Sequence, residues 1–366
     1  MIHASDELAS AVEDGSFTSG YVADLIVDGQ VMLKDFELAG ELVADGGSLV
    51  LTQGKLTLTY SDDLGQSVVP TQLTSWLTPF VSFLDVSYRV SNKLFSEKVL
   101  RGRLKIVGVT DPQERKIRFQ DRLITVGSSV KLKVADLFHV TDMERFEAPS
   151  APGDLSSAWA ELGRLTLLPL SRSVADVAIP RSVTYVDNRL DAVVLLADLL
   201  GGIPYVTPAG EVSIAPTAWG SVVATLGMGP NGRVSKAGAD DLTDTGIANK
   251  VIVRSWDDQQ ATILATAQVV SGPLRWGGKF GRVPYFLSSE FVTTASQAQA
   301  WADRMLPVVS SMNAVLYTVQ CLPDPRLEVW DVIKFEKDGV FNTGQILKMT
   351  LPARGMMTLV VSVPLV

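Results

Sequence analysis

Between Ser16 and Val140 apolar residues recur at every second position in short runs, and each run is stopped by a turn signal. Val22, Asp24 and Ile26 alternate with Ala23, Leu25 and Val27, and Asp28-Gly29 then turns the chain into Val31–Phe36. Ser48–Thr59 carries Leu49, Leu51, Leu56 and Leu58 as its apolar positions. Phe80–Val90, Glu97–Val109 and Lys116–Thr125 follow, separated by Asn92-Lys93 and Asp111-Pro112. Strands at this spacing favour a small barrel or sandwich over a parallel α/β sheet. Ahead of them, Leu8 and Val12 lie one turn apart and Gly15 can end a short helix.

The period changes after Ala148-Pro149-Ser150-Ala151-Pro152-Gly153, the clearest linker in the chain. Asp154 is expected to cap a helix carrying Leu155, Trp159 and Leu162. Asp187 is expected to cap another, with Leu190, Val193, Val194, Ala197 and Leu200 ending at Gly201-Gly202. Ile203–Val206 and Glu211–Ile214 flank Thr207-Pro208-Ala209-Gly210, a hairpin with a type I turn. Strand patterns return at Ala248–Ser255, Ala261–Val270 and Val283–Phe286. A helix follows, capped by Thr294 with Gln297 as its capping-box partner and Ala298, Trp301, Ala302 and Met305 on one face; Pro307 marks its end or a kink. Val315–Cys321, Asp331–Lys337, Phe341–Thr350 and Met357–Val363 complete a strand-rich end. The expected organisation is mainly β with an α+β insertion. A helix and first β-barrel-like domain span 1–147, a helix–hairpin unit 148–244, and a second β-rich domain with one helix 245–366.

Composition removes several function classes. The 366 residues are 46% hydrophobic with a mean hydropathy of +0.22, which describes a core-building chain. One cysteine, Cys321, and two histidines, His3 and His139, argue against disulfide frameworks and multi-Cys or His-built metal centres. Met1–Glu7 has no basic n-region, and no stretch approaches the roughly 18 apolar residues of a membrane helix, so neither export nor membrane insertion is expected.

Motifs add little chemistry. Gly227-Met228-Gly229-Pro230-Asn231-Gly232 fits G-x-G-x-x-G, but Pro230-Asn231-Gly232 is a turn sequence and no helical period follows. Gly277-Gly278-Lys279 lacks the hydroxyl of a phosphate loop, since Phe280 follows it. His139 has no nucleophile motif beside it, and Cys321 alternates with Val319 as a small core residue. Catalytic residues, cofactors and metals are therefore expected to be none, leaving only the residual possibility of paired carboxylates acting on glycans.

Charge is more informative. The net charge is −8, yet Arg89–Lys133 holds twelve basic and four acidic residues, so this segment is +8 and the remainder −16. Arg101, Arg103 and Lys105 are expected on one face of a strand, and Lys116, Arg118 and Arg122 on one face of another. A solvated sheet face is one reading. Contact with an acidic surface of another copy or another protein is the sharper one. Nucleic-acid binding ranks below both, because an acidic chain without interleaved aromatics is a poor match for it.

Asn249-Lys250-Val251-Ile252-Val253, Gly281–Ser289 and Thr293–Ala300 closely resemble minor tail proteins of siphophages infecting actinobacteria. The order of parts is similar too: a short helix at Ser5–Leu8, a β domain, the helix–hairpin unit Arg189–Ile214, and Pro323-Asp324-Pro325-Arg326-Leu327-Glu328-Val329-Trp330-Asp331-Val332 leading into a strand. The resemblance implies a structural tail-hub protein of the baseplate, found at the virion tail tip and not an enzyme. Two barrel-like tube domains per subunit would let a trimer match the six-fold tube that it closes. It implies a homo-oligomer, contacts with a distal tail protein and other tip or fibre proteins, and DNA passing through the channel without sequence recognition. The chain ends after a strand-rich domain, so neither an appended hydrolase nor a fibre-like extension is expected. Neutral or acidic side chains are expected to line the channel, with Asp62, Asp63, Asp240, Asp241 and Asp244 as candidates. A hexameric distal tail adaptor is the alternative within this class. A cell-wall glycan-binding or glycan-hydrolysing tip module is the alternative outside it, with Trp76, Trp219, Trp256 or Trp276 as sugar platforms.

Overall fold

A computed structural model describes residues 1–61, 67–239, 247–257, 260–288, 295–310 and 314–364. Helix α1 (Asp6–Asp14) leads into strands β1 (Thr18–Val27), β2 (Gln30–Asp45), β3 (Thr52–Tyr60), β4 (Ser82–Ser91), β5 (Ser96–Phe119) and β6 (Arg122–Ala135). Next come helices α2 (Phe138–Met143), α3 (Ala158–Thr166) and α4 (Arg189–Leu200), then β7 (Gly202–Val206) and β8 (Val212–Pro216). The remainder is β9 (Val222–Leu226), β10 (Val234–Ala239), β11 (Lys250–Asp257), β12 (Gln260–Gln268), β13 (Pro284–Ser288), α5 (Ala295–Val309), β14 (Ala314–Cys321), β15 (Val332–Lys337), β16 (Val340–Pro352) and β17 (Met357–Pro364).

The mainly β expectation holds. β1 pairs with both β2 and β4, and the ladder continues through β5, β6 and β3 back to β2, so six antiparallel strands close into a barrel. Closure leaves no free edge around the ring. Strand β4 shows why it forms: Ser82, Leu84, Val86, Tyr88 and Val90 are buried and every residue between them is half-buried. Asp28 and Gly29 both take positive φ at the β1–β2 turn, as a two-residue hairpin requires. Gly40 on β2 has φ +117°, and a Cβ there would sit 2.1 Å from the Lys55 carbonyl oxygen. Only glycine lets β2 and β3 approach this closely.

A second group of strands runs in the order β9-β15-β16-β17-β14-β10, with β9 parallel to β15 and the other pairs antiparallel. Glu41–Asp45 of β2 pair with Lys348–Pro352 of β16 and join the two groups into one sheet system. The seam is reinforced from inside the first barrel. The Tyr21 hydroxyl donates to the Leu351 carbonyl at 2.6 Å and the Tyr88 hydroxyl to the Pro352 carbonyl at 3.0 Å, the two rings meeting edge to face. One hydrophobic core runs through both groups.

Two smaller units are inserted into this frame. Residues 138–216 form α2–α4 and the β7–β8 hairpin around Trp159, Tyr185, Leu196 and Ile214. The helix positions are as expected, but the caps differ. Ser157 accepts the Ala160 amide of α3 and Asn188 the Leu190 amide of α4, whereas Asp154 binds Ser156 one turn earlier. Residues 250–309 form the three-stranded sheet β12-β11-β13, with α5 packing Ala298 and Ala302 against Val251 and Val253. Thr294, the expected cap of α5, lies outside the described residues. By hydrogen bonding, the strands after 314 belong with β9 and β10 rather than with 250–288, so the second strand group is discontinuous in sequence.

Candidate interaction surface

The basic segment Arg89–Lys133 spans β4–β6, and cross-strand partners neutralise part of it. Arg103 lies opposite Asp85 and donates to both carboxylate oxygens, at 2.7 and 2.8 Å; this carboxylate raises the pKa of the guanidinium. Arg89 pairs with Glu37, Lys98 with Asp35, and Lys131 with Asp111 at 2.7 Å. Lys105 is half-buried, with its ammonium 4.5 Å from the Phe83 ring centre and 3.3 Å from the Phe80 carbonyl, and this burial lowers its pKa.

Arg101 departs from the expected partner-facing role. Leu100 faces Ser87 and Gly102 faces Val86, which makes Arg101 the extra residue of a β-bulge. Its guanidinium donates inside the chain to the carbonyl oxygens of Pro325 and Leu327, tying the first barrel to the loop before β15. Burial lowers its pKa, against the opposing charges of Glu328, Asp324 and Asp331.

The second expected basic face is redistributed as well. Lys116–Thr125 is not one strand. Gln120 and Asp121 take positive φ (45° and 59°) and reverse the chain, so Lys116 and Arg118 end β5 while Arg122 begins β6 opposite Phe119. Nor does Asp111-Pro112 break the strand before it: the register slips there and β5 continues as one 24-residue strand. A bulge is where a strand tolerates proline. Lys116 and Arg118 still share a face of the resulting hairpin, through the pairs Lys116–Thr125 and Arg118–Leu123. Lys116 pairs with Glu114 at 2.8 Å; Arg118 is 75% exposed and stands 3.7 Å from Asp121.

Asp62, Asp63, Asp240, Asp241 and Asp244 all lie outside the described residues. The glycine motif at 227–232 is a turn between β9 and β10, where the Met228 amide donates to the Glu336 carboxylate at 2.8 Å. Cys321 is buried, and burial pushes its thiol up to about 12. Trp76 and Trp219 are exposed, Trp276 is half-buried with the Lys250 ammonium 5.0 Å from its ring centre, and the side chain of Trp256 is outside the described set. Among the described residues no cluster of His, Cys, Asp or Glu is arranged to hold a metal, and no helix is long and apolar enough to cross a membrane.

Two buried aspartates escaped the sequence reading. Asp324 is fully buried and binds Arg233 at 2.7 Å and Arg326 at 2.8 Å. Burial pushes its carboxyl up, but the hydrogen bonds and charges of the two arginines outweigh that and hold it below the usual range. Asp324 and Arg326 are close in sequence, yet Arg233 is 91 residues away, so no local pattern announces the cluster. Asp136, just after β6, accepts amides from Thr52 at 2.8 Å and Phe138 at 3.0 Å and has no ion pair among the described residues. Burial raises its pKa to about 7, with these amides opposing. It borders a cavity of about 300 Å³ between the first barrel, the β7–β8 hairpin and the 328–331 turn, where Tyr205 meets Trp330 edge to face.

No protein-family model matches the chain, and no curated protein is significantly similar to it. Solved structures are similar in fold. A tail protein from Neisseria meningitidis superposes with a TM-score of 0.57 at 11% identity, covering 94% of this chain and 96% of that one. The 43 kDa tail protein of prophage MuSo2 from Shewanella oneidensis gives 0.57 at 10% identity, covering 94% and 98%. Prophage tail protein gp18 from Listeria monocytogenes gives 0.50 at 9% identity, covering 93% and 94%. Identities this low carry fold and nothing more, but they carry it over nearly the whole length of every chain. The seamed strand groups and their two inserted units thus form a fold shared with tail proteins.

Proposed function

We propose that this chain is a structural tail-hub protein of a phage tail tip. In this reading it forms a ring that joins the end of the tail tube to the tip proteins and surrounds the DNA channel. One observation carries it: a single chain holds two six-stranded β units joined through β2 and β16. Three such chains in a ring present six barrel-like units and can meet a six-fold tube, which a chain with one barrel cannot do as a trimer. The likeness in fold to tail proteins supports the reading. The narrower kinship with minor tail proteins of actinobacterial siphophages rests on the segments around Asn249, Gly281 and Thr293.

The role is scaffolding rather than enzymatic, and the protein resides in the virion tail tip. Its partners are further copies of itself, a distal tail protein and other tip or fibre proteins. Arg103, Lys105, Lys116, Arg118 and Arg122 are the candidate contacts with acidic neighbours; Arg101 is committed within the chain. The channel wall in this reading is neutral or acidic, because a basic wall would retain DNA through its phosphates.

Mass measurement of the purified protein, alone and with neighbouring tail components, tests the proposal together with a map of the virion tail tip. Three copies around a lumen are expected. Six copies would instead favour the distal adaptor. A protein that stays monomeric with all components and is absent from virions would sink both. Retention on host cell wall by an otherwise monomeric protein would favour the glycan-binding alternative.

A further inference from the structure

The β5–β6 hairpin outruns the barrel that holds its base. β4 pairs with β5 only as far as Lys105, and β3 pairs with β6 only from Ser128 onward. Among the described residues, Arg115–Phe119 and Arg122–Gly127 therefore pair only with each other and form a two-stranded arm with no described strand beside either edge. An isolated two-stranded ribbon is marginally stable, and its open edges and apolar side chains favour a partner. The arm has those apolar side chains: Leu123 is 72% exposed and Ile117 is 44% exposed. Leu123 shares its face with Lys116 and Arg118, whereas Arg115 belongs to the other face of the arm.

The matching surface lies on α1. Asp6, Glu7, Glu13 and Asp14 are all exposed, none has an ion pair among the described residues, and the helix contains no basic residue. Glu13 and Asp14 occupy the last turn, where the negative end of the helix dipole disfavours acids and favours a cation. Arg326, which feels the charge of Glu13, is already bound to Asp324. Asp6 and Glu13 stand two turns apart, about 10 Å along the axis. Lys116 and Arg118, on one face, lie about 7 Å apart along their strand, and their long side chains can span the remainder.

Within one chain these surfaces are kept apart. Ser5, the cap of α1, is hydrogen-bonded to Glu97 at the first turn of β5, whereas the arm is the far end of the same strand. From Glu97 to Phe119 the strand path is about 70 Å at roughly 3.3 Å per residue. We infer that the β5–β6 arm docks on α1 of a second copy of this chain, with Lys116 and Arg118 meeting Asp6, Glu7, Glu13 and Asp14 while Leu123 is covered. A contact between different patches is head-to-tail, the kind that closes into a ring when its rotation permits. The inference rests on the ring reading above and specifies one of its interfaces.

Charge reversal and swap on the full-length protein, read as mass by analytical ultracentrifugation at low salt, is the test. Lys116→Glu with Arg118→Glu is expected to weaken self-association at least tenfold, as is Glu13→Lys with Asp14→Lys. All four changes in one chain are expected to restore it, and added salt to weaken the wild type by screening. The sites are exposed, so circular dichroism should be unchanged. As a second measurement, Arg118→Cys and Asp14→Cys chains mixed under oxidising conditions should give a covalent dimer that neither gives alone. Wild-type oligomers insensitive to both reversals, or reversals that the swap does not rescue, would overturn the arm contact while leaving the ring reading intact. A wild type that is monomeric at every concentration and with every tail component overturns both. Arm reversal that abolishes only nucleic-acid retention identifies the arm as a DNA contact and also overturns the inference.

Discussion

The first barrel closes by hydrogen bonds between β1 and β2, whereas among the described residues no pairing joins β9 to β10 in the second group. The first is continuous in sequence from Thr18 to Ala135, apart from its turns and the loop before β4. The second is assembled from β9 and β10 and from β14–β17, with the 250–309 unit between them. Each solves the problem of buried charge differently. At the exit of the first, Asp136 is hydrogen-bonded by backbone amides and burial raises its pKa to about 7; in the second, Asp324 is clasped by Arg233 and Arg326, which hold its pKa down. Both sites draw on a group far away in sequence, 84 residues for the Thr52 amide and 91 for Arg233, but backbone donors meet the first carboxyl and cations the second. In the second group the ion cluster ties the segment before β10 to the loop before β15 and can fix their register. An uncompensated buried charge is costly, so the cluster is an exacting way to do so.

That contrast can be broken most forcefully within the first barrel. Gly40→Ala forces a Cβ against the Lys55 carbonyl at a φ of +117° and is expected to cost more than about 4 kcal/mol, read as loss of the cooperative urea transition. Asp324→Asn leaves the buried Arg233 and the half-buried Arg326 without their anion and is expected to cost about 3–5 kcal/mol by urea denaturation. A cost below about 1 kcal/mol would mean that the cluster does not hold the second group together.

Asp136 provides a test in pH. The unfolded aspartate ionises near 3.9, whereas the folded one does so at about 7. In that window the folded state binds more protons, so the contribution of this group to stability falls as pH rises from about 4 to about 7. Asp136→Asn is expected to remove up to about 2–3 kcal/mol of that slope between pH 5 and 7, seen as a difference in urea midpoints from the wild type. Asp324 has the opposite sign. Its depressed value gives a contribution that is present above about pH 4 and lost as pH falls through the folded pKa. An Asp136→Asn protein with the same pH profile as the wild type would show that burial does not govern this carboxyl.

Smaller effects sharpen the seam and the surface. Tyr21→Phe removes one buried hydrogen bond to Leu351 across the two groups and is expected to cost about 1 kcal/mol in thermal or urea unfolding. Arg103→Ala removes an exposed pair with Asp85 and is expected to cost less than about 1 kcal/mol. An assembly defect at Arg103 larger than that stability change would assign it to a partner contact.

Strands, helices and most turns were legible in the sequence because they answer to local physics. Asp28-Gly29 supplies the positive φ of a hairpin, Gly15 and Gly201 end their helices, and the alternation in β4 matches its buried face. Lys116–Thr125 misled for the same reason. Its pattern suits a strand on either side of Gln120-Asp121, and only cross-strand pairing decides that the chain turns there. Arg101 looked like a neighbour of Arg103 on an open face; a bulge and the approach of residues 325–327 turned it inward.

The sequence by itself determined a mainly β chain with a helix–hairpin insertion and a basic stretch in an acidic whole. Periodicity, turn chemistry and charge are properties of neighbours in the chain. Tertiary structure decided that β2 meets β16, that Arg233 meets Asp324, and that Lys116 and Arg118 share one face of the arm. Those are encounters between residues far apart in sequence, set by packing and register, which no local pattern encodes.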